Sequence, residues 1–222
     1  MSLGIGDATL QAPIPTGYVR ASVEAPVLFA TSAGGMPPAN RLVEMLVAEG
    51  DLKRMLLGQG PAQTYLQVQT IRDAERLTFT EAEWSAFQPV LAQQFGALDL
   101  DKQAKPMESG IGERMSAASG ADIEIAFGEI GKPTIYAKRP TSMHYLMRLP
   151  ITAQVNGETK QVQIECVGAV LLAAGKVVLV NAYTRTEPGQ PPSAATRAMA
   201  EDFVTRMQAL NASSVAEQAP VP

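Results

Sequence analysis

The dipeptide Asn156-Gly157 constrains the fold more than any other feature of this sequence. Asn-Gly between two alternating apolar runs is the strongest short signal for a two-residue β-hairpin turn, because both residues accept a positive φ. Pairing Val155 with Glu158 then fixes the register of the two strands. Because successive side chains of a strand point to opposite faces, one face is predicted to be the core, and its residues are Met143, Tyr145, Met147, Leu149, Ile151, Ala153, Val155, Val162, Ile164, Cys166, Gly168 and Val170.

The opposite face of the same hairpin supports this register. It places Arg148 directly across from Glu165, which predicts a cross-strand ion pair. The single cysteine, Cys166, lies on the apolar face, whereas the single histidine, His144, is predicted to lie on the opposite face of the sheet. This separation excludes a Cys-His pair, and an apolar setting raises the pKa of a thiol. Cys166 is therefore predicted to be a small, buried and unreactive core residue.

The apolar run 162–180 is too interrupted to cross a membrane. Glu165 and Lys176 leave ten uncharged residues between them, whereas a spanning helix needs about 20. We expect the run to turn back as a second hairpin through a three-residue loop, with Gly175 in the left-handed conformation. In that register, the third strand places Val178, Val180 and Ala182 on the predicted core face.

The remainder of the second half predicts more strands and a final helix. The segments 122–128 and 133–139 alternate like strands and extend the hairpins to an antiparallel meander of about five strands. Pro150 cannot donate a backbone hydrogen bond, which predicts an unpaired strand edge there. Ser193 begins a helix with one apolar stripe: Ala195, Met199, Phe203, Met207 and Leu210. The predicted fold class is α+β, an antiparallel sheet covered by amphipathic helices.

The first half, residues 15–98, predicts the order strand, helix, strand, helix. Segment 37–58 has helical spacing, 64–71 alternates as a strand, and Thr80 with Glu83 forms a capping box before another helix. The stripe of that helix is predicted to be core: Trp84, Phe87, Leu91 and Phe95. Residues 1–14 and 212–222 are predicted to be disordered, 99–121 to be a loop or linker, and 122–211 to hold the meander and its helix.

Composition and motifs exclude several classes of function. The net charge of -4 and the absence of basic clusters argue against nucleic-acid binding. One cysteine allows neither an internal disulfide nor a cysteine zinc site. The common signatures of hydrolases, metalloproteases and nucleotide-binding loops are missing. We therefore expect no metal site and no cofactor. The polar, lysine-poor ends favour an exported bacterial protein, periplasmic or secreted after removal of a signal peptide; a cytoplasmic location is the alternative.

One group of polar residues is a candidate binding site. If both registers hold, six polar side chains share the non-core face of three neighbouring strands: His144, Arg148, Glu165, Asn181, Tyr183 and Arg185. Such a group could bind a small polar ligand, with His144 and Glu165 as acid and base. The alternative is a solvated sheet face, or a polar layer beneath a helix.

The pattern of residues 122–210 resembles the PsbP-like fold, in particular through "GKVVLVNAYTRTE" and the final "QALN". This resemblance implies a non-catalytic accessory or assembly role, often outside the cytoplasm, and assigns no functional residue. The predicted function is accordingly a non-enzymatic binding or assembly protein with a protein partner or a small polar ligand. The alternative is a small hydrolase or isomerase that uses His144 and Glu165.

Overall fold

The structure is a computed structural model that describes residues 1–97, 99–187, 189–190 and 192–212. Within these ranges the strands are β1 (Ser2–Ile5), β2 (Ala8–Gln11), β3 (Tyr18–Arg20), β4 (Asn40–Ala48), β5 (Thr64–Ile71), β6 (Ile123–Phe127), β7 (Thr134–Arg139), β8 (Ser142–Val155), β9 (Glu158–Ala173) and β10 (Lys176–Thr186). The α-helices are α1 (Ala21–Glu24), α2 (Pro26–Gly34), α3 (Glu49–Leu56), α4 (Glu81–Ala97), α5 (Leu100–Ala104), α6 (Glu108–Ser119) and α7 (Ala194–Asn211). Short 3-10 turns occupy Arg72–Ala74 and Lys105–Met107.

Strands β3 to β10 form one antiparallel sheet with helices packed on both faces. The order across it is β3, β4, β5, β10, β9, β8, and both β6 and β7 pair with the outer edge of β8. The predicted α+β fold class is confirmed. Because β5 pairs with β10, strands from the two predicted halves belong to the same sheet. In the described part of the chain, no helix is both long and apolar enough to cross a bilayer.

The β8–β9 hairpin has the predicted register. Val155 pairs with Glu158, and the turn residues Asn156 and Gly157 have φ values of 50° and 84°. The outer neighbour of β8 changes from β7, which pairs as far as Leu146, to β6, which begins pairing at Ile151. Pro150 lies in the interval between them, but its carbonyl accepts from the backbone N–H of Gly128 at 2.8 Å. The edge that was predicted to be unpaired there is therefore hydrogen-bonded at Pro150.

The predicted register of the β9–β10 hairpin is wrong by one residue. Its turn has two residues, Ala174 and Gly175, with φ values of 47° and 75°, so that Lys176 pairs with Ala173. A one-residue slip moves every side chain of β10 to the other face. Residues at both parities of β10 are buried, so the apolar pattern could not reveal the register, and the tight turn matches the twist of the strands.

Segment 40–48 is strand β4, and the helix predicted over 37–58 is wrong for this part. β4 lies between β3 and β5 and is buried on both faces, so its apolar run has no clean alternation and can be mistaken for helical spacing. Only α3 is helical, and the two leucines expected on its apolar stripe, Leu56 and Leu57, are 72% and 71% exposed.

Two segments predicted to lack regular structure are ordered. Residues 1–14 contain the β1–β2 hairpin, which buries Leu3, Ile5 and Leu10. Residues 99–121 contain α5 and α6 instead of a loop. Glycines and serines weakened the helical signal of α6, but Gly112 is required by packing: a Cβ there would lie 2.7 Å from the carbonyl oxygen of Ile123. Of the predicted disordered tail 212–222, residues 213–222 lie outside the described residues.

The sheet has two faces with different coverings. The face of Val167, Ala169 and Leu171, named here the α7 face, packs against α7 and the β1–β2 hairpin. The face of Cys166 and Gly168 is named the cavity face, and α4 covers one end of it. Both helices begin as predicted: the side chain of Ser193 accepts from the backbone of Thr196, and Thr80 and Glu83 form the capping box. The predicted stripe of α4 packs in this core, with Trp84 fully buried.

Candidate functional site

A cavity of about 940 Å³ lies against the cavity face, beyond the end that α4 covers. Its floor is formed by β5, β8, β9 and β10, and β6 contributes one side. Helices α2 and α6 form the opposite wall, where they contact each other. The volume falls in the range of about 300–1,000 Å³ that is usual for small-molecule sites.

The helical wall is held together by close backbone contacts. A Cβ at Gly34, the last residue of α2, would lie 2.9 Å from the carbonyl oxygen of Arg114 in α6. The Arg114 side chain donates from Nε to the Gly34 carbonyl at 2.9 Å and from Nη2 to the Met36 carbonyl at 3.0 Å. These contacts join α2 to α6 and fix the wall opposite the sheet.

The lining of the cavity is predominantly apolar. Alternation along the strands brings side chains of β6, β8 and β9 to one surface. These side chains are half-buried rather than sealed in a core: Ile125, Phe127, Met147, Leu149, Ile151, Val162 and Ile164. A concave apolar surface that retains access to solvent is typical of a site that an apolar ligand covers.

Methionines are concentrated in this lining. Six of the ten methionines of the chain line the cavity: Met36, Met45, Met55, Met107, Met115 and Met147. A methionine side chain has three rotatable bonds and a polarisable sulfur, so it adapts to apolar partners of different shape. The lining can therefore adjust to ligands that share apolar character rather than one outline.

A small polar patch interrupts the apolar floor where three strands run side by side. The hydroxyl of Tyr145 donates to Oδ1 of Asn181 at 2.6 Å, and the thiol of Cys166 donates to the same oxygen at 3.6 Å. Tyr145 and Asn181 are both cross-strand partners of Gly168. A Cβ at Gly168 would lie 2.3 Å from Cζ of Tyr145 and 2.4 Å from Oδ1 of Asn181. The missing side chain of Gly168 is what lets the two residues meet.

The polar patch continues onto β5. Gln69 donates from Nε2 to Oε1 of Gln67 at 2.8 Å and approaches the hydroxyl of Tyr183 at 3.5 Å. Asn40 donates to Oε1 of Gln69 at 3.2 Å, and the ring of Tyr183 stacks on Tyr65 with centroids 4.9 Å apart. These side chains are hydrogen-bonded to each other, as buried polar groups must be.

The polar patch is uncharged near neutral pH. Burial raises the pKa values of Tyr65, Tyr145 and Tyr183 above the ordinary tyrosine value, and it raises the pKa of the Cys166 thiol likewise. Cys166 is fully buried, as predicted; its low reactivity stays a prediction. The patch thus offers amide and hydroxyl groups to a ligand and lacks an ionised nucleophile.

Arg185 lies at one edge of the cavity and is its one unpaired charged group among the described residues. It lies on the cavity face, opposite Ile164, and it lines the cavity together with the polar patch. Burial lowers the pKa of its guanidinium from the ordinary arginine value. The other charged residue in the lining, Lys102, is exposed and paired with Asp99 at 2.9 Å.

The six predicted site residues do not share one face. Because of the register of β10, Asn181, Tyr183 and Arg185 lie on the cavity face, and all three line the cavity. His144, Arg148 and Glu165 lie on the α7 face, so the prediction of one common face is wrong. Ligand binding by Asn181, Tyr183 and Arg185 stays a prediction, and the cavity that they line is where a ligand would bind.

His144 and Glu165 are not brought together. They are separated by four residues along the paired strands β8 and β9, which is about 13 Å at the rise of a strand. Nε2 of His144 lies 3.0 Å from the Ser142 hydroxyl, and its ring packs near Tyr136. His144 is fully buried, and burial lowers its pKa from 6.5. The geometry gives no support to an acid-base pair of these two residues.

Glu165 supports α7. It is fully buried, and its Oε1 accepts from the backbone N–H of Ser193, the residue that caps α7. The predicted pair with Arg148 is present at 4.0 Å, and Arg148 also donates to the carbonyl of Gln190. These contacts join β8 and β9 to the segment that precedes α7. Here the alternative interpretation of a polar layer beneath a helix describes the residues correctly.

Sequence reasoning missed most of the lining of the cavity, although one signal was available. The strand "TYLQVQTI" alternates Tyr65, Gln67 and Gln69 on one face. Two glutamines on the same face of an internal strand indicate a polar patch that needs partners. No group of three or more His, Cys, Asp or Glu residues suited to a metal ion occurs in the described ranges.

Comparisons with known proteins give little guidance. No protein-family model matches the chain, and no curated protein matches it. Among solved structures, the chain is similar to the Ran-binding protein Mog1p of Saccharomyces cerevisiae, with 10% identity and a TM-score of 0.28. The match covers 93% of this chain and 87% of Mog1p. A likeness this distant does not bear on what this chain binds.

Proposed function

We propose that this protein is a non-enzymatic binding protein that holds an apolar or amphipathic small molecule in the cavity between the sheet and helices α2 and α6. The observation that supports this most directly is the lining: apolar side chains of three strands remain half-buried around about 940 Å³ of space. Such a surface would gain free energy from being covered, at about 25 cal/mol per Å² of apolar area removed from water.

The polar patch would give such a ligand its orientation. A site that is mostly apolar with a few placed polar groups is the usual design of small-molecule pockets. The amide of Asn181 and the hydroxyls of Tyr145 and Tyr183 supply neutral donors and acceptors. The proposed ligand has a larger apolar part than the small polar ligand that the sequence predicts.

Two expectations from the sequence remain proposals beside this one. The PsbP-like resemblance, with its accessory or assembly role, is supported by an antiparallel sheet closed by a C-terminal helix. Export to the periplasm is supported by the composition of the chain ends. A signal peptide encoded upstream of Met1 would support export, and a gene that starts at Met1 with no such segment would contradict it.

The binding proposal can be tested with primary alkanols of increasing length, which are uncharged and differ only in apolar surface. We expect native mass spectrometry or calorimetry to show binding that tightens about fourfold for each methylene buried. Leu149→Gln should weaken binding at least about fivefold, because it places an amide without a partner against the ligand.

Leu57→Gln is the matched control, since Leu57 is 71% exposed and lies outside the cavity. It should bind alkanols like the wild type. Absence of alkanol binding, or equal weakening in both variants, would contradict the proposal.

A further inference from the structure

Arg185 is placed on an otherwise apolar row of the sheet. Its cross-strand partner on β9 is Ile164, and the partner of Ile164 on β8 is Leu149. All three side chains line the cavity. A charged side chain is uncommon in such a row, because burial removes part of the hydration that stabilises the charge.

Among the described residues, the guanidinium of Arg185 has no counter-ion. In the described part of the chain, no carboxylate lies within ion-pair distance and no hydrogen bond of this guanidinium is formed. Half-buried Arg20 and Arg41, by contrast, are paired with Glu44 at 2.8 Å and Glu75 at 2.7 Å. Half-buried arginines in this protein otherwise bind a carboxylate, and Arg185 is left with five unused donors.

Arg185 also marks a boundary between two kinds of surface. Beyond it lies a second cleft of about 660 Å³, which Arg185 lines as well. The polar side chains of that cleft are Gln63, Thr152, Gln161, Gln163, Thr186, Glu187 and Gln190. Glu187 is exposed, so solvent screens its repulsion of an anion. The apolar cavity and the polar cleft share the lining residues Ile151, Val162 and Arg185. Of these three, Arg185 carries the charge, and it is unpaired among the described residues.

We propose that the ligand is an anionic amphiphile whose alkyl chain lies in the apolar cavity and whose carboxylate or phosphate head is bound by Arg185 at the boundary with the polar cleft. This inference rests on the proposed function and names its ligand class. A guanidinium matches both head groups, because its planar fork donates two parallel hydrogen bonds to a pair of oxygens. The lowered pKa of Arg185 agrees with a cation that gains from an anionic partner.

The test compares three probes with the same alkyl chain at pH 8: 1-hexadecanol below its solubility limit, and hexadecanoate and hexadecyl phosphate below their critical micelle concentrations. We expect the wild type to bind at least one anion about tenfold or more tightly than the alcohol. The tighter of the two anions identifies a fatty-acid or a phosphate head. Arg185→Gln should lose this preference for the anions, and continued binding of the alcohol would show that the variant is folded.

Two further variants sharpen the result. Arg185→Lys should keep part of the preference, since it retains the charge without the fork. Arg72→Gln should keep all of it, because Arg72 is exposed and lines neither cavity. Equal affinity of the wild type for alcohol and anions, or an undiminished preference in Arg185→Gln, would overturn the head-group assignment alone. Failure of all three probes to bind would overturn this inference together with the proposed function.

Discussion

The two faces of the sheet use the same strands but are completed differently. On the α7 face, Val167, Ala169 and Leu171 are 1% exposed or less and pack against Phe203 of α7. On the cavity face, alternate residues of the same strands are half-buried around the open cavity. The α7 face is closed by the chain itself, whereas the cavity face beyond α4 is not.

This difference indicates that the α7 face contributes more to the stability of the fold than the cavity face does. Small aliphatic residues on the α7 face interdigitate with a helix and a hairpin, which is the dense packing that stabilises a core. Tyrosines, glutamines and methionines on the cavity face leave space unfilled. Proteins accept such loss of packing at binding sites, where it serves function. Truncation of side chains should therefore affect stability on one face and ligand binding on the other, and the predictions at Phe203, Leu149, Glu165 and His144 test that separation.

The largest effect is expected from truncation on the α7 face. Phe203→Ala should reduce the free energy of unfolding by about 3–5 kcal/mol, because it empties a filled core site. Leu149→Ala should cost under about 1.5 kcal/mol, because Leu149 is half-buried beside existing space. Urea denaturation measures both. Comparable costs for the two variants would mean that the cavity face is as much a folding core as the α7 face.

A smaller but substantial effect is expected at Gly168. Gly168→Ala should destabilise the protein by about 3 kcal/mol, because its Cβ would overlap Tyr145 and Asn181 from both neighbouring strands. It should also separate these two residues and change binding to the polar patch. Gly4→Ala is the control, since nothing lies within 4 Å of a Cβ at Gly4 in strand β1. A stable Gly168→Ala variant with normal binding would show that the Tyr145 and Asn181 contact is dispensable.

The parts of the fold that the sequence predicted correctly are those where turn chemistry and alternation agree. Asn156 and Gly157 determine the β8–β9 register, because the residues of the flanking strands that point to one face are apolar and those that point to the other are more polar. In β10 the residues on both faces of the strand are buried, so the apolar pattern does not distinguish the faces. A predicted turn one residue too long at Ala174 therefore assigned every side chain of β10 to the wrong face. The same absence of alternation hid strand β4.

The candidate site was only partly predictable for a related reason. Asn181, Tyr183 and Arg185 were selected as polar residues on a strand, and they do line the cavity. The space itself depends on how α2 and α6 meet at Gly34, which is a contact between distant segments. A local sequence pattern carries no information on contacts between distant segments. An apolar stripe that faces an open cavity therefore looks the same in the sequence as one that is covered by a helix.

The third prediction concerns the support of α7 by Glu165. Glu165→Ala should cost about 1–2 kcal/mol, because it leaves the Ser193 N–H without its acceptor. Glu165→Gln keeps the accepting oxygen and should cost less. Thermal or urea unfolding gives the stability, and alkanol binding should stay normal in both. Loss of ligand binding in a folded Glu165→Gln variant would contradict the division between the faces.

The smallest predicted effect is a pH dependence from His144. Burial lowers the pKa of His144 below 6.5, repulsion from Arg139 and Arg197 lowers it further, and attraction to Glu201 opposes them in part. Below pH 6.5 the unfolded chain therefore binds a proton more readily than the folded one, so the stability from neutral His144 is present above this pH and is lost as pH falls. The wild type should lose more stability than His144→Asn between pH 7.5 and 5.5, as measured by urea midpoints.

Alkanol binding over the same pH interval separates the faces once more. The buried tyrosines and Cys166 on the cavity face have raised pKa values and remain neutral at both pH values. The affinity for an uncharged alkanol should therefore stay constant while the stability of the α7 face declines. An equal pH response in His144→Asn and wild type would remove His144 as the cause. An affinity that falls together with stability would show that the two faces are coupled.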